Sequence, residues 1–136
     1  MIQRIDTFFY GLYMDQDVPA EAGITPRSPR RARADGFALK IGKRATLVHA
    51  PGGTVWGMVF ALTPEELAKL YGGPGLDAYR PQDIEVALES RAIIPARSYL
   101  LPQAPASDER NPEYAEKLKA ALTRLGFPAD YVTGVG

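Results

Sequence analysis

The sequence predicts a single α+β domain over residues 1–136, in which mainly antiparallel strands form a curled sheet or small barrel with flanking helices. The chain has 136 residues, which is the size of one domain. Strand-like segments follow one another in runs, and this order favours antiparallel pairing with the helices to one side. Closing the sheet into a barrel would also pair its edges.

The strands are predicted from β-branched and aromatic runs that lie between turn residues. Six segments qualify: residues 5–10, 36–41, 44–49, 54–62, 83–89 and 92–101. A long connection, residues 14–35, separates the first two. Gly42-Lys43 and Pro51-Gly52-Gly53 are predicted to be the turns between the second, third and fourth strands. Trp56 and Phe60, on the most apolar strand, are interpreted as core.

Two helices are predicted from their capping residues. Thr63-Pro64-Glu65-Glu66 combines an N-cap threonine, a proline at the first helical position and the glutamate of a capping box. Asn111 caps the longer helix, whose apolar residues fall on one stripe. Gly126 stands where a left-handed C-cap belongs, and Pro128 prevents continuation.

Composition excludes several classes of function. The 16 basic and 16 acidic side chains cancel, so no general attraction to nucleic acid or to an anionic membrane is expected. No apolar run is long enough to span a membrane. The absence of cysteine excludes thiolate zinc sites and cysteine nucleophiles and fits a cytoplasmic location. His49 is the single histidine, so a multi-histidine metal site is excluded, and neither metal nor cofactor is expected.

The best candidate site is the strand-end loop Phe9-Tyr10-Gly11-Leu12-Tyr13. A glycine after a buried strand permits positive φ and close approach of the backbone. Successive amides in such a turn can form a nest for a carboxylate, with the two tyrosines as walls. A glycine needed only for the turn is the alternative interpretation.

Other features are interpreted as structural. Arg27, Arg30, Arg31 and Arg33 cluster near the end of the long connection and are interpreted as a solvated surface run, with an anion contact as the alternative. His49, at a strand end, is interpreted as structural.

Four ordered pieces of the chain together form a recognisable pattern. They are Phe9-Tyr10-Gly11; residues 55–62, Val-Trp-Gly-Met-Val-Phe-Ala-Leu; Glu66-Leu67 and Leu70 with the later Tyr79-Arg80; and Asn111-Pro112, Tyr114 and Leu125-Gly126-Phe127-Pro128 before Tyr131. This order resembles the gamma-glutamylcyclotransferase-like family, with its Tyr-Gly-Ser/Thr-Leu loop, its Val-x-Gly-x-x-Tyr-x-Leu strand and its C-terminal helix and turn. The resemblance spans nearly the whole chain.

The resemblance implies a small mixed β-barrel with flanking helices, one central pocket and no cofactor. It implies an intramolecular reaction, in which the α-amine of a γ-glutamyl group attacks its own γ-carbonyl, releases an amine and leaves 5-oxoproline. Tyr10, Gly11, Leu12, Tyr13 and Tyr79 are then the candidate substrate-binding residues. A glutamate of the family moves the proton, because the α-ammonium is not nucleophilic until it is deprotonated.

The sequence departs from the family at that glutamate. The family has Leu-Asp-x-x-Glu-Gly at the end of its first helix, and the corresponding stretch here is Leu70-Tyr71-Gly72-Gly73-Pro74-Gly75. Pro74 carries no titratable group, and the hydroxyl residue of the family's strand-end loop is also missing. Ordinary cyclotransferase activity is therefore not expected.

Three hypotheses remain from the sequence. The first is a protein that binds a small carboxylate-bearing molecule, such as a γ-glutamyl compound, without the ordinary chemistry. The second is an active enzyme with a relocated acid, for which Asp77 is the candidate and Asp15 the next choice. The third is a protein-interaction module whose contact surface is residues 14–35 with their arginines.

Overall fold

Five strands close into a barrel, and three helices flank it, in the part of the chain that the computed structural model describes: residues 3–14, 23–24, 27–72, 78–106 and 108–135. The elements are β1 (Ile5–Phe9), β2 (Arg27–Ile41), β3 (Ala45–Leu62), α1 (Pro64–Tyr71), β4 (Arg80–Leu88), β5 (Ile93–Leu100), α2 (Pro112–Arg124) and α3 (Ala129–Thr133). A short 3-10 turn, Leu12–Met14, follows β1. The predicted α+β class with a small, mainly antiparallel barrel is confirmed.

The strand order around the barrel is β1-β3-β2-β4-β5. Neighbouring strands pair antiparallel, except that β1 closes the barrel against β5 in parallel, with Thr7 opposite Arg97. Closure is reinforced by the Ser98 hydroxyl, which donates to the Phe8 carbonyl at 3.0 Å. The barrel is therefore mixed, and its closing junction rests on few pairs.

β2 is longer than the sequence predicts, because it begins at Arg27 and not at residue 36. Residues 27–35, predicted to end the long connection, are part of the sheet. Their inward side chains are small: Ala32 and Ala34 are fully buried, while Arg33 and Asp35 are exposed. The alternation of a half-buried strand is present, but alanine makes its buried face inconspicuous among charged residues.

β3 is also continuous where the sequence predicts a turn. Pro51-Gly52-Gly53 lies within the strand, and pairing with β2 resumes on both sides of it. His49 pairs with Phe37 and Thr54 pairs with Asp35, so residues 50–53 lie opposite the single residue 36. The predicted turn is a β-bulge, which accommodates residues without ladder hydrogen bonds and bends the strand.

Two apolar clusters pack on opposite faces of the strands. The first lies on the side where the strands face one another and includes Phe8, Val55 and Val59. The second lies between the sheet and the helices and contains Phe60, Leu67, Leu118 and Leu122. Phe60 is core, as predicted.

Trp56 is only partly buried, so its assignment to the core was wrong. Its ring packs 6.2 Å from that of Phe127, and the guanidinium of Arg33 lies 6.0 Å from the indole centroid. An indole is large and is often left partly exposed at the border of a core.

The predicted helix caps are all present. Thr63 Oγ1 accepts from the amide of Glu66 at 3.2 Å, and Glu66 Oε1 accepts from the amide of Thr63 at 2.9 Å. Asn111 Oδ1 accepts from the amide of Tyr114 at 3.2 Å. Gly126 has φ +83°, as a left-handed C-cap requires. These caps fix the start of α1 and both ends of α2.

None of the helices in the described segments is long and apolar enough to cross a membrane. A cytoplasmic location stays a prediction.

Replacing Gly57 with alanine is expected to lower the free energy of unfolding by about 1–3 kcal/mol, as overpacked core substitutions do. A Cβ there would lie under 3.0 Å from the carbonyl oxygen of Phe9 and 2.9 Å from Phe8 Cζ. Neither backbone nor buried ring has room to move. Urea unfolding measures the effect, with Gly134→Ala as the control because its Cβ would meet only ordinary contacts of 3.6 Å or more. Equal stability of the two variants would contradict the packing seen around Gly57.

Candidate functional site

A cavity of about 280 Å³ opens where β1 ends. Its wall is made by residues 9–13, by residues 43–45 at the tip of the hairpin between β2 and β3, and by Tyr71, Tyr79 and Tyr114. Four separate elements therefore converge on the strand-end loop: the hairpin, the last residue of α1, the entry to β4 and the first turn of α2.

Every predicted substrate-binding residue lies on this wall. Tyr10, Gly11, Leu12 and Tyr13 form one side, and Tyr79 faces the cavity from the entry to β4. Their role in binding stays a prediction. Asp77 and Pro74, like Asp15, lie outside the described residues.

Gly11 is required for close approach and not for an unusual backbone angle. Its φ is outside the left-handed region, contrary to the expectation of positive φ. A Cβ at this position would lie under 3.0 Å from the hydroxyl oxygen of Tyr114. That hydroxyl accepts a hydrogen bond from the amide of Leu12 at 3.2 Å. The first turn of α2 therefore docks on the loop through the space that the missing side chain leaves.

Three tyrosine hydroxyls hold the wall together. Tyr10 Oη donates to the carbonyl of Tyr99 at 2.6 Å. Tyr79 Oη donates to the carbonyl of Ala45 at 2.5 Å, and Tyr13 Oη donates to that of Leu70 at 3.2 Å. Tyr114 differs, because its oxygen accepts from Leu12 and its proton is given to no acceptor within the described segments. Its O–H can therefore donate to a ligand, as can the hydroxyl of Tyr71, which makes no hydrogen bond to the described residues.

The tyrosine rings form a continuous aromatic wall. The ring of Tyr71 stacks on that of Tyr99 with centroids 4.0 Å apart. It meets the rings of Tyr13 and Tyr79 at 5.8 Å each, the former edge to face. Such offset and edge contacts stabilise aromatic pairs beyond their buried area, so this side of the cavity is expected to be rigid.

Burial keeps these hydroxyls protonated. It raises the pKa of Tyr10 and of Tyr71 well above the usual value near 10, and it also raises the pKa of Tyr13, Tyr79 and Tyr114. Removing a phenolate from water is costly, which is why burial favours the neutral form. At neutral pH the tyrosines can donate hydrogen bonds, but none can take a proton from an ammonium group.

The charged side chains on the described wall are Lys43 and Arg44. No carboxylate lines the cavity within those same residues. The nearby Glu109 is engaged elsewhere, since its Oε1 accepts from the amide of Lys43 at 3.1 Å and its Oε2 from the amide of Ala106 at 2.8 Å. These two bonds lower the pKa of Glu109, so it is a poor proton carrier.

The arginines of the long connection lie on β2, away from this cavity. Arg30 pairs with Asp6 at 2.7 Å. Arg31 pairs with Glu89 and donates to the carbonyl of Leu125 at 3.1 Å. These contacts join β2 to neighbouring elements. They do not favour an anion site or a partner surface built from these arginines.

The remaining histidine also lies apart from the cavity. His49 is exposed, and its ring lies 5.0 Å from that of Phe37. No group of metal-ligating side chains is found in the described parts of the chain.

Sequence reasoning missed five residues of the wall: Lys43, Arg44, Ala45, Tyr71 and Tyr114. The hairpin tip was identified only as a turn, and Tyr114 only as part of the apolar stripe of α2. Tyr71 was noted as occupying the family's aspartate position. The sequence did hold a signal for these residues, since aromatic and cationic side chains cluster at the ends of predicted elements. The sequence does not show that these ends lie next to one another in the folded chain.

Comparison with known proteins agrees with this architecture. Residues 7–118 match the family model described as "Gamma-glutamyl cyclotransferase, AIG2-like". The chain belongs to this family. A search of curated protein sequences gave no significant match.

Solved structures show the same fold at low identity. A structure named gamma-glutamyl cyclotransferase aligns with a TM-score of 0.82 and 21% identity, over 98% of this chain and 89% of that one. An uncharacterized protein from Homo sapiens, loc79017, gives 0.76 and 22%, over 98% and 89%. YkqA from Bacillus subtilis gives 0.78 and 22%, over 96% of this chain and 52% of that one. The family resemblance identified from the sequence is confirmed.

Proposed function

We propose that this gamma-glutamyl cyclotransferase-like chain binds a small carboxylate-bearing molecule, such as a γ-glutamyl compound, without forming 5-oxoproline by the ordinary reaction. One observation carries the proposal. The described wall of the cavity holds hydroxyl donors and two cations, and no carboxylate. Such a lining complements an anion but contains no group that accepts a proton at neutral pH.

The carboxylate is proposed to bind at the strand-end loop. The Tyr114 hydroxyl is oriented by the amide of Leu12, so it acts as a donor whose direction is already set. A hydrogen bond to a charged acceptor is stronger than one between neutral groups. The tyrosine rings would pack along the methylene groups of the ligand, as apolar walls do in small-molecule sites.

The described residues of the wall supply no base for the ordinary chemistry. Cyclisation needs a proton removed from the α-ammonium and one delivered to the leaving nitrogen. The tyrosines have raised pKa values, and the two remaining polar side chains of the described wall, Lys43 and Arg44, are basic residues and not carboxylates. Pro74, which stands at the family's glutamate position by sequence, offers no titratable group.

A second candidate is an active cyclotransferase with Asp77 as proton carrier. Family membership favours it. So does the position of Tyr71 and Tyr79, which both line the cavity and lie at the two ends of the segment that contains Asp77. In this alternative the carboxylate would have its pKa raised in a water-poor pocket and would serve as base and then as acid.

Titration calorimetry with γ-glutamylglycine, together with chromatographic detection of 5-oxoproline, tests both candidates. We expect binding without product. Gly11→Trp, which fills the loop's approach to Tyr114, is expected to abolish the binding, while Gly134→Ala leaves it unchanged. No binding by the folded wild-type chain would refute the binding proposal. Product that disappears in Asp77→Asn, with the fold intact by circular dichroism, would establish the second candidate instead.

A further inference from the structure

We propose that Glu109 is a positioning residue of the cavity, whose carboxylate holds the hairpin tip, residues 43–45, in the place where the tip forms one side of the site. Glu109 lies in the connection between β5 and α2 and does not itself line the cavity. The inference rests on the proposed function and adds to it a residue that acts on the ligand through the tip.

The hairpin tip is fastened from inside the cavity by tyrosine hydroxyls. Residues 43–45 belong to the cavity wall. The carbonyl of Ala45 accepts from Tyr79 Oη at 2.5 Å, and Tyr10 Oη lies 3.5 Å from the same carbonyl oxygen. The shape of the cavity on this side therefore depends on where the backbone of the tip lies.

The same tip is held from outside the cavity by Glu109. Its Oε1 accepts from the amide of Lys43 at 3.1 Å, and its Oε2 accepts from the amide of Ala106 at 2.8 Å. One carboxylate thus joins the tip to the connection before α2. Hydrogen bonds to an ionised acceptor are stronger than those between neutral groups. These two bonds, with a smaller effect of the Lys43 ammonium, lower the pKa of Glu109, so the carboxylate keeps both acceptors at neutral pH.

Neighbouring contacts place the tip relative to α2. Gly42 packs so closely on Pro105 that a Cβ there would lie 2.5 Å from the Cβ of that proline. The side-chain amide of Asn111 donates to the carbonyl of Lys43 at 3.4 Å. Asn111 also caps α2, whose Tyr114 docks on the strand-end loop. The connection before α2 therefore holds two parts of the cavity wall, the tip and Tyr114, in register with each other.

A tip that is already held in place favours binding. Ordering a loop when a ligand binds costs free energy, and a wall fixed beforehand avoids that cost. Glu109 is partly exposed, so water can replace its bonds when they are lost. Its contribution to affinity is therefore expected to be modest, about five-fold.

Glu109→Gln tests the assignment with the smallest change of shape. Glutamine has the same length, but its amide nitrogen cannot accept a hydrogen bond, so one of the two bonds is lost. Calorimetry with γ-glutamylglycine is expected to give an affinity about five-fold weaker than that of the wild type. Glu116→Gln is the control, because it removes the same charge from an exposed residue of α2 that does not line the cavity. It is expected to bind as the wild type does.

Amide NMR spectra of the ligand-free chains separate positioning from a general loss of stability. In the wild type the amides of Lys43 and Ala106 are expected to shift together as the pH falls, with one midpoint below the ordinary glutamate pKa of 4.5, because both report the same carboxylate. In Glu109→Gln this shared titration disappears. At neutral pH the signals of Ala45 and Tyr79 change as well, because the tip carries the bond that joins them. A general loss of stability would produce neither of these local changes.

The outcomes distinguish this inference from the proposed function. Equal affinities of Glu109→Gln and the wild type would overturn the positioning role and leave the proposed function in place. The same loss of affinity in Glu116→Gln would also overturn it, because charge alone would then explain the effect. If the folded wild type binds no γ-glutamylglycine, the proposed function is refuted. The signals of Ala45 and Tyr79 then decide the positioning role by themselves, since unchanged signals in Glu109→Gln refute it and changed signals support it.

Discussion

Replacing Gly11 with alanine is expected to abolish ligand binding and to destabilise the fold. The added Cβ would collide with the hydroxyl oxygen of Tyr114 at a distance that real Cβ contacts essentially never show. Tyr114 must then move, and the amide of Leu12 loses its acceptor. An unsatisfied amide with local overpacking costs about 1–3 kcal/mol. The proposed donor to the ligand is displaced at the same time.

A double variant separates these two effects. Tyr114→Phe removes the oxygen, and the next atom of that ring lies 3.7 Å from the alanine Cβ, an ordinary contact. Gly11→Ala/Tyr114→Phe is therefore expected to recover stability relative to Gly11→Ala alone, but not to recover binding. Urea unfolding and calorimetry measure the two quantities. Normal binding by Gly11→Ala would show that the docking of Tyr114 on the loop has no part in recognition.

Raising the pH above 10 is expected to unfold the protein steeply. Tyrosines of the unfolded chain ionise near pH 10, whereas burial raises the pKa of Tyr10 and Tyr71 well above that value and the pKa of Tyr131 to about 12. Above pH 10 the folded state therefore holds more protons than the unfolded state. Stability falls as the pH rises, by about 1.4 kcal/mol per pH unit for each such group, until the folded pKa is passed. Below pH 10 the stabilisation that these protonated tyrosines contribute to the folded state is present in full.

Tyrosinate absorbance and circular dichroism, followed together from pH 8 to 12.5, measure this behaviour. We expect the buried tyrosines to ionise only as the dichroism signal is lost. Tyr10→Phe removes one raised group, so its stability should decline less steeply with pH, by about 1.4 kcal/mol per pH unit. Ionisation of all seven tyrosines near pH 10 in a chain that stays folded would contradict the burial of the tyrosine hydroxyls.

The sequence was most informative where one local rule decides the structure. The capping box at Thr63 and the glycine C-cap at Gly126 involve neighbouring residues alone, and both were predicted correctly. The loop at Gly11 was identified for a similar reason, because a glycine after an apolar strand implies close packing. The residue that packs on Gly11 could not be identified from the sequence, because Tyr114 lies far from this loop along the chain.

The errors arose where long-range pairing overrides local signals. Pro51-Gly52-Gly53 has the composition of a turn, yet β2 pairs with β3 on both sides of it, and these flanking pairs hold the strand continuous. Ala32 and Ala34 are too small to mark a strand, yet both are fully buried in the cluster that contains Phe8 and Val59. Neither feature can be recognised from the sequence, because each depends on which strands are neighbours in the sheet.

The closing junction of the barrel, where β1 meets β5, links occupancy of the cavity to the integrity of the sheet. Apart from Thr7 and Arg97, the strands are joined there by side chains, and one of these is the Tyr10 hydroxyl on the carbonyl of Tyr99. A molecule bound against Tyr10 is therefore expected to stabilise that junction, and opening of the junction is expected to disrupt the binding site. If the chain binds its ligand there, binding should slow amide exchange in these two strands.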